Sequence, residues 1–128
     1  MNYGYFDDTN REYVITDPCT PTKWINYIGT LQFGGFVDHT GGALICKNDP
    51  TFNRITKYIQ QMPSSDFKGE TLYLRIPSLP SPLPKGEGGG SDGKYKVFSP
   101  FFVPTLDAYD KYECRVGLGY ARVLSKFY

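Results

Sequence analysis

Short apolar runs, separated by residues that favour turns, recur along the whole of this 128-residue chain. The pattern is clearest at residues 71–76, where apolar and polar side chains alternate with the period of two that a half-buried strand requires. Residues 3–6 and 12–16 are two further β-prone runs, and the polar segment DDTNR between them predicts a hairpin turn. The pattern therefore predicts an all-β chain.

The central part of the sequence predicts three more strands, at residues 24–28, 33–37 and 43–46. Gly34-Gly35 interrupts the second of them, which indicates a bulge or a close approach of another backbone. Gly41-Gly42 stands before the third, and we expect these two glycines to adopt positive φ angles in a turn.

Residues 48–62 fit two structures. Asp49 as a cap, Pro50 at the first helical position and apolar residues at three- to four-residue spacing predict a helical turn near residues 50–54. Residues 55–60 also contain good strand formers, so both structures stay open for that segment. The fold class predicted is thus all-β with one short helix as the only exception.

Residues 77–94 include a stretch rich in Pro, Gly and Ser, with few apolar side chains to bury. We interpret it as an exposed loop inserted into a hairpin, because long surface insertions add little to the entropic cost of loop closure. A domain boundary is the alternative, but the apolar runs on either side are too short to form separate domains.

The last run, residues 112–128, keeps apolar side chains on one face through two glycines and is predicted to be one long bent strand. An antiparallel pair normally returns through a short turn, and no such turn follows Tyr128. We therefore expect the sequence to be cut off at this point.

Charge is balanced, with 14 Lys and Arg against 13 Asp and Glu and a formal net charge of +1. This balance gives no electrostatic reason to expect nucleic acid or an anionic membrane as a partner. The first residues lack the basic and apolar regions of a signal peptide, and no apolar run is long enough for a membrane span, so we predict a cytoplasmic protein. Aromatic residues, with 11 Tyr and 9 Phe beside one Trp, favour contacts with sugar or protein.

His39 is the only histidine and therefore the only possible imidazole base. No nucleophile motif surrounds it, so we interpret it as a loop residue that bonds locally. Cys19, Cys46 and Cys114 are odd in number and form no CxxC pair, which supports neither a disulfide framework nor a zinc site. The sequence predicts no catalytic residue, no metal site and no cofactor in this chain.

Several ordered motifs together resemble the N-terminus of the glycoside phosphorylases of glycoside hydrolase family 94. The motifs are MNYGYFDDTNREYVITDPCTPTKWINYIG, QFGGFVDHTGG, NRITKY, FSPFFVP and YECRVGLGYARVLSKFY. The resemblance extends over the whole chain except the insertion rich in Pro and Gly. Within the family the motifs look nearest to those of the laminaribiose or cellobiose phosphorylases.

The resemblance implies a large cytoplasmic homodimer, in which an antiparallel β-sandwich of the galactose-mutarotase-like supersandwich type precedes a helical linker and an (α/α)6 barrel. In that barrel an Asp protonates the glycosidic oxygen while inorganic phosphate attacks the anomeric carbon, so a β-linked glucose disaccharide yields a sugar 1-phosphate and glucose. Residues 1–128 then form the first part of the sandwich and the barrel is absent. The chain is expected to supply scaffold, dimer contacts and carbohydrate binding, and to be inactive alone.

In related phosphorylases the loop after the Gly-Gly pair is thought to bring aromatic residues close to the partner subunit's active site. Here Gly41-Gly42 is followed by Ala-Leu-Ile-Cys-Lys, which offers no ring on which a sugar would stack. The residues expected to neighbour the sugar-acceptor site are His39, Cys46, Lys47 and Arg54. The alternative is that these four are ordinary surface or packing residues.

Two other functions fit the sequence: a free-standing carbohydrate-binding β-sandwich module, and the remnant of a frameshifted or split gene. A half sandwich exposes inner-face side chains and leaves the strand at residues 120–128 as an open edge, which predicts aggregation or a need for a complementing fragment. A sharp thermal transition that is independent of concentration would instead favour the binding module.

Overall fold

The computed structural model describes residues 2–58, 63–65, 70–77 and 95–127. In those ranges the chain is all-β, with antiparallel strands in three sheets and no helix, as the hydrophobic pattern predicts. The strands are β1 (Gly4–Asp7), β2 (Glu12–Ile15), β3 (Ile25–Gly29), β4 (Phe33–Asp38), β5 (Ala43–Lys47), β6 (Leu74–Pro77), β7 (Tyr95–Phe98), β8 (Lys111–Gly117) and β9 (Tyr120–Lys126).

The first sheet has the order β1-β2-β8-β9, so it joins the two ends of the chain. The predicted β1–β2 hairpin is confirmed, and Ile15 of β2 pairs with Cys114 of β8. The single long strand predicted at residues 112–128 is wrong, because the chain reverses between Gly117 and Tyr120 and returns as β9. Gly119, with φ of 80°, supplies the positive φ that closes this two-residue turn.

The second sheet is the meander β3-β4-β5, and its central strand contains the predicted close approach at Gly34-Gly35. A Cβ on Gly35 would lie 1.8 Å from the carbonyl oxygen of Leu44, and one on Gly34 would lie 2.6 Å from that of Ile28. Strands β3, β4 and β5 therefore pair this closely only because β4 has glycine at both positions.

The turn between β4 and β5 uses its two glycines differently. Gly41 has a φ of 90°, as predicted. The φ of Gly42 is not positive, so that part of the prediction is wrong. A Cβ on Gly42 would lie 2.5 Å from Oδ2 of Asp38, so the reason for glycine there is space rather than backbone conformation.

Residues 49–53 make one turn rather than a helix, in which the amide of Asn53 donates to the carbonyl oxygen of Asp49 at 2.9 Å. The helical turn predicted near residues 50–54 is thus present as a single turn, and it does not continue as a helix because the chain leaves it in an extended conformation. Arg54 forms a β-bridge with Cys46, and the amide of Ile55 donates to the carbonyl oxygen of Ile45. The edge strand β5 thus supplies the segment after the turn with the backbone hydrogen bonds that a helix would otherwise have supplied.

The third sheet consists of β6 and β7, with Leu74 paired to Phe98 and Pro77 paired to Tyr95. Strand β6 starts at Leu74 and includes Pro77, whereas the sequence predicts a strand over residues 71–76 that Pro77 ends. The predicted loop at 77–94 lies outside the described residues beyond Pro77.

Two apolar clusters hold the first two sheets. Ile15, Tyr112 and Cys114 form the first cluster, against which Trp24 and other partly buried rings pack. The second cluster, on the β3–β5 sheet, consists of Phe36, Leu44, Cys46 and Tyr58. The side-chain Nδ2 of Asn26 joins the sheets by donating to the carbonyl oxygens of Gly117 and Tyr120 at 3.2 and 2.9 Å.

Candidate functional site

The VDHTGG segment at the end of β4 is organised by Asp38, whose carboxylate is buried. Its Oδ1 accepts hydrogen bonds from the amide and hydroxyl of Thr40, both at 2.7 Å, and from the amide of Gly42 at 3.0 Å. Its Oδ2 accepts from the hydroxyl of Tyr58 at 2.7 Å and lies 3.4 Å from Nζ of Lys23. We call Asp38 and these four partners the Asp38 network.

The Asp38 network contains a buried ion pair, since the side chains of Lys23 and Asp38 are 1% and 0% exposed. The ammonium group of Lys23 also lies 5.4 Å from the centre of the Tyr58 ring. Burial, together with the bond to Asp38, raises the pKa of Tyr58 far above its usual value. The Asp38 carboxylate is fully bonded and inaccessible, so it serves the fold rather than proton transfer to a ligand.

His39 lies next to this network and is also buried. Its Nδ1 accepts from the amide of Trp24 at 3.2 Å, and its Nε2 lies 3.0 Å from the carbonyl oxygen of Pro18 and 3.0 Å from the hydroxyl of Thr20. A carbonyl only accepts, so Nε2 carries the proton and the ring is neutral. Burial lowers the pKa of His39, which keeps that neutral form.

A hollow of about 630 Å³ lies at the other end of the β3–β5 sheet. We call it the β3–β5 hollow. Side chains of Tyr27, Phe36, Leu44 and Cys46 line it, together with the backbone of Gly29 and Gly34 and the polar residues Asn48 and Arg54.

The structure separates the four residues expected near a sugar-acceptor site. Cys46 and Arg54 are paired by a β-bridge and line the β3–β5 hollow together. Lys47 is exposed on the next position of β5, where alternation along the strand turns it to the opposite face. His39 is in the interior with both ring nitrogens bonded within the chain. Adjacency to a sugar stays a prediction for all four.

Sequence reasoning missed the Asp38 network. Asp38, two residues before Thr40 and four before Gly42, has the spacing of an Asx turn, and that signal was present in VDHTGG. Lys23 and Tyr58 had no comparable signal, because they reach Asp38 from other parts of the sequence.

The three thiols should differ in reactivity. Partial burial and the nearby Asp17 raise the pKa of Cys19, but its thiol is exposed, whereas Cys46 and Cys114 are buried and burial raises the pKa of Cys114 to about 12. We expect Ellman's reagent to modify one thiol rapidly in the native chain and all three after unfolding in urea. Cys19→Ser should remove the rapid phase. Rapid modification of Cys46 in the native chain would contradict the packing described for the β3–β5 hollow.

The described residues contain no group of three or more His, Cys, Asp or Glu side chains arranged to hold a metal ion. A search of the same residues for a helix long and apolar enough to cross a membrane finds none.

Comparison with known proteins identifies a family and several relatives. Residues 11–78 match the family model described as the supersandwich domain of glycosyl hydrolase 94. The chain is 35% identical over 124 residues to an N,N'-diacetylchitobiose phosphorylase of Vibrio proteolyticus, which covers 95% of this chain and 14% of the relative. A phosphorylase of the same name from Vibrio furnissii is 44% identical over 75 residues, or 59% of this chain and 9% of the relative.

A third relative, the 3-O-beta-D-glucopyranosyl-beta-D-glucuronide phosphorylase of Paenibacillus borealis, is 28% identical over 123 residues, or 96% of this chain and 13% of the relative. The chain therefore spans about a seventh or less of the length of these relatives. The family match covers more than half of the chain, and the antiparallel all-β architecture agrees with it. The chain belongs to glycoside hydrolase family 94, as a part of its supersandwich domain.

Proposed function

We propose that this chain is part of a phosphorylase that reversibly cleaves a β-linked disaccharide with inorganic phosphate, and that it contributes scaffold and partner contacts rather than the catalytic acid. The observation that carries the proposal is the match of residues 11–78 to the family's supersandwich domain. The Asp38 carboxylate, fully bonded in the interior, is not available as a general acid, which supports a non-catalytic role.

The substrate class we propose is a disaccharide of N-acetylglucosamine, in place of the β-linked glucose disaccharide that the sequence motifs suggest. Two of the relatives are named N,N'-diacetylchitobiose phosphorylases, and one of them aligns over 95% of this chain. We further propose that the phosphorylase is a homodimer and cytoplasmic. Three free thiols support a reducing compartment.

A chimeric enzyme tests the proposal. The segment of the Vibrio proteolyticus phosphorylase that aligns with this chain is replaced by residues 1–128. We expect the chimera to release sugar 1-phosphate from N,N'-diacetylchitobiose in the presence of phosphate. Controls are the relative with the segment deleted and the isolated chain, and we expect both to be inactive.

Two results would count against the proposal. A chimera that folds but has no activity would exclude this chain from the scaffold role. A chimera that cleaves cellobiose or laminaribiose faster than the unmodified relative would assign the glucose disaccharides to this chain instead of N,N'-diacetylchitobiose.

A free-standing carbohydrate-binding module is the second candidate, supported by Tyr27, which is 71% exposed and whose ring packs edge-on against Phe36. Titration of the isolated chain with chitooligosaccharides, followed by Trp24 fluorescence, distinguishes this candidate. A flat titration with a folded sample rejects it.

A further inference from the structure

Two neighbouring turns at one end of the β3–β5 sheet expose large apolar side chains. Leu31, between β3 and β4, is 94% exposed, and Phe52, in the turn after β5, is 84% exposed. The amide of Asn48 donates to the carbonyl oxygen of Gln32 at 3.0 Å, so the chain holds the two turns side by side. Leu31 and Pro50 both line the β3–β5 hollow, which makes the turns its rim.

The floor of the β3–β5 hollow is apolar. Phe36, Leu44 and Cys46, all of them buried, form it. Tyr27 stands at the side of the hollow. Apolar side chains thus lie both on the rim and on the floor of one depression, and a monomer surface seldom leaves an apolar surface of this kind uncovered.

Polar groups with unused hydrogen-bonding capacity lie beside this apolar patch. Nε of Arg54 donates to the carbonyl oxygen of Pro50, and its terminal guanidinium nitrogens have no partner among the described residues. The side-chain amide of Asn48 has none in that part of the chain either. A carboxylate or carbonyl oxygen at the rim would accept hydrogen bonds from the guanidinium N–H groups of Arg54.

A polypeptide fits this surface better than a sugar does. A sugar ring would match Tyr27, Asn48 and Arg54, but it would leave Leu31 and Phe52 in water. An apolar side chain entering the hollow would cover the same floor while its flanking residues covered the two turns. The curated relatives are about seven times as long as this chain, so a large part of such a polypeptide is available to cover the patch.

We propose that the β3–β5 hollow and its two turns dock on the part of the phosphorylase polypeptide that lies outside the segment aligned with this chain. An apolar side chain enters the hollow, and an oxygen of the same segment binds Arg54. The inference rests on the proposed function, since it assigns the surface through which the scaffold meets the rest of the enzyme.

A complementation experiment tests this surface. Residues 1–128 and the remainder of the Vibrio proteolyticus phosphorylase are produced as separate polypeptides, and the dissociation constant of their complex is measured. We expect the paired substitution Leu31→Asn and Phe52→Asn to raise that constant by about tenfold or more. The urea midpoint of the isolated chain should not change, because both side chains are exposed in it.

Leu118→Asn is the matched control, since Leu118 is a fully exposed leucine in the β8–β9 turn, and we expect it to leave the dissociation constant unchanged. A paired variant that binds like this control overturns the docking surface. Failure of the unsubstituted chain to bind or to restore activity would overturn the proposed function instead. If Tyr27→Ala abolishes chitooligosaccharide binding to the isolated chain and does not affect the complex, the hollow is a sugar site and the inference is wrong.

Discussion

Replacing Asp38 by alanine is expected to destabilise the chain by about 3–5 kcal/mol, because the substitution leaves the buried ammonium group of Lys23 without its counter-ion. It also removes the acceptor for Thr40, Gly42 and Tyr58, whose donors are then buried without partners. The measurement is urea unfolding of the dilute chain, followed by Trp24 fluorescence. A loss of this size is a large fraction of the stability of a small domain.

Asp8→Ala is the matched control for this substitution, because Asp8 is exposed and its loss should change the free energy of unfolding by less than about 0.5 kcal/mol. Adding Lys23→Met to Asp38→Ala removes the buried charge and should restore part of the lost stability. If Asp38→Ala were as stable as the control, Asp38 would not organise the VDHTGG segment in the way described.

The stability of the chain is expected to fall as the pH drops below about 6.5, through His39. Burial lowers the pKa of this imidazole in the folded chain, and the nearby Asp38 carboxylate and Pro18 carbonyl only partly oppose that effect. Between the pKa of the unfolded chain, about 6.5, and the lower pKa of the folded chain, only the unfolded chain binds the proton. The free energy of unfolding should therefore decrease by about 1.4 kcal/mol per pH unit in that window.

The carboxylates do not interfere with this window. Hydrogen bonds and nearby cations lower the pKa values of Asp7, Glu12 and Glu113, so their stabilising effect persists above their unfolded pKa values near 4 and is lost only at lower pH. Unfolding of the wild type and of His39→Gln is compared from pH 7 to about 5, and only the wild type should show the slope.

An independent measurement avoids any folding defect of the variant. The chain has one histidine, so its imidazole resonance in a proton NMR titration needs no assignment. In the folded chain it should titrate below about 6.5. A higher value would mean that the ring is protonated in the fold, which contradicts the acceptor role of Nδ1 toward Trp24.

The sequence predicts most strands correctly because alternation and glycine are local signals. The β8–β9 turn was not predicted, because apolar alternation continues on both sides of Gly117 and Gly119 and the pattern therefore resembles one strand. Asp49 and Pro50 predict a helical turn near residues 50–54, and these residues do form a single turn. The turn ends because Arg54 pairs with Cys46 of β5. This pairing depends on tertiary structure, so the sequence around residue 54 carries no signal of it.

Less of the candidate site was predictable. His39 was interpreted as a locally bonded loop residue, whereas it is buried and bonds Pro18 and Trp24, which lie well before it in the sequence. The pairing of Cys46 with Arg54 depends on the register of the segment after β5. Partners chosen by three-dimensional proximity are not encoded in any short motif, which is why the Asp38 network was not foreseen.

The pairing of β2 with β8 sets the order in which the chain is able to fold. The β1–β2 hairpin and the β3–β5 meander pair residues that are close in the sequence, so their pairing does not depend on the later parts of the chain. Strand β2, by contrast, has to wait for β8, which is made almost at the end of the chain. During synthesis on the ribosome the edge of β2 therefore stays unpaired the longest, and this edge is where a nascent chain is most exposed to a chaperone or to misassembly.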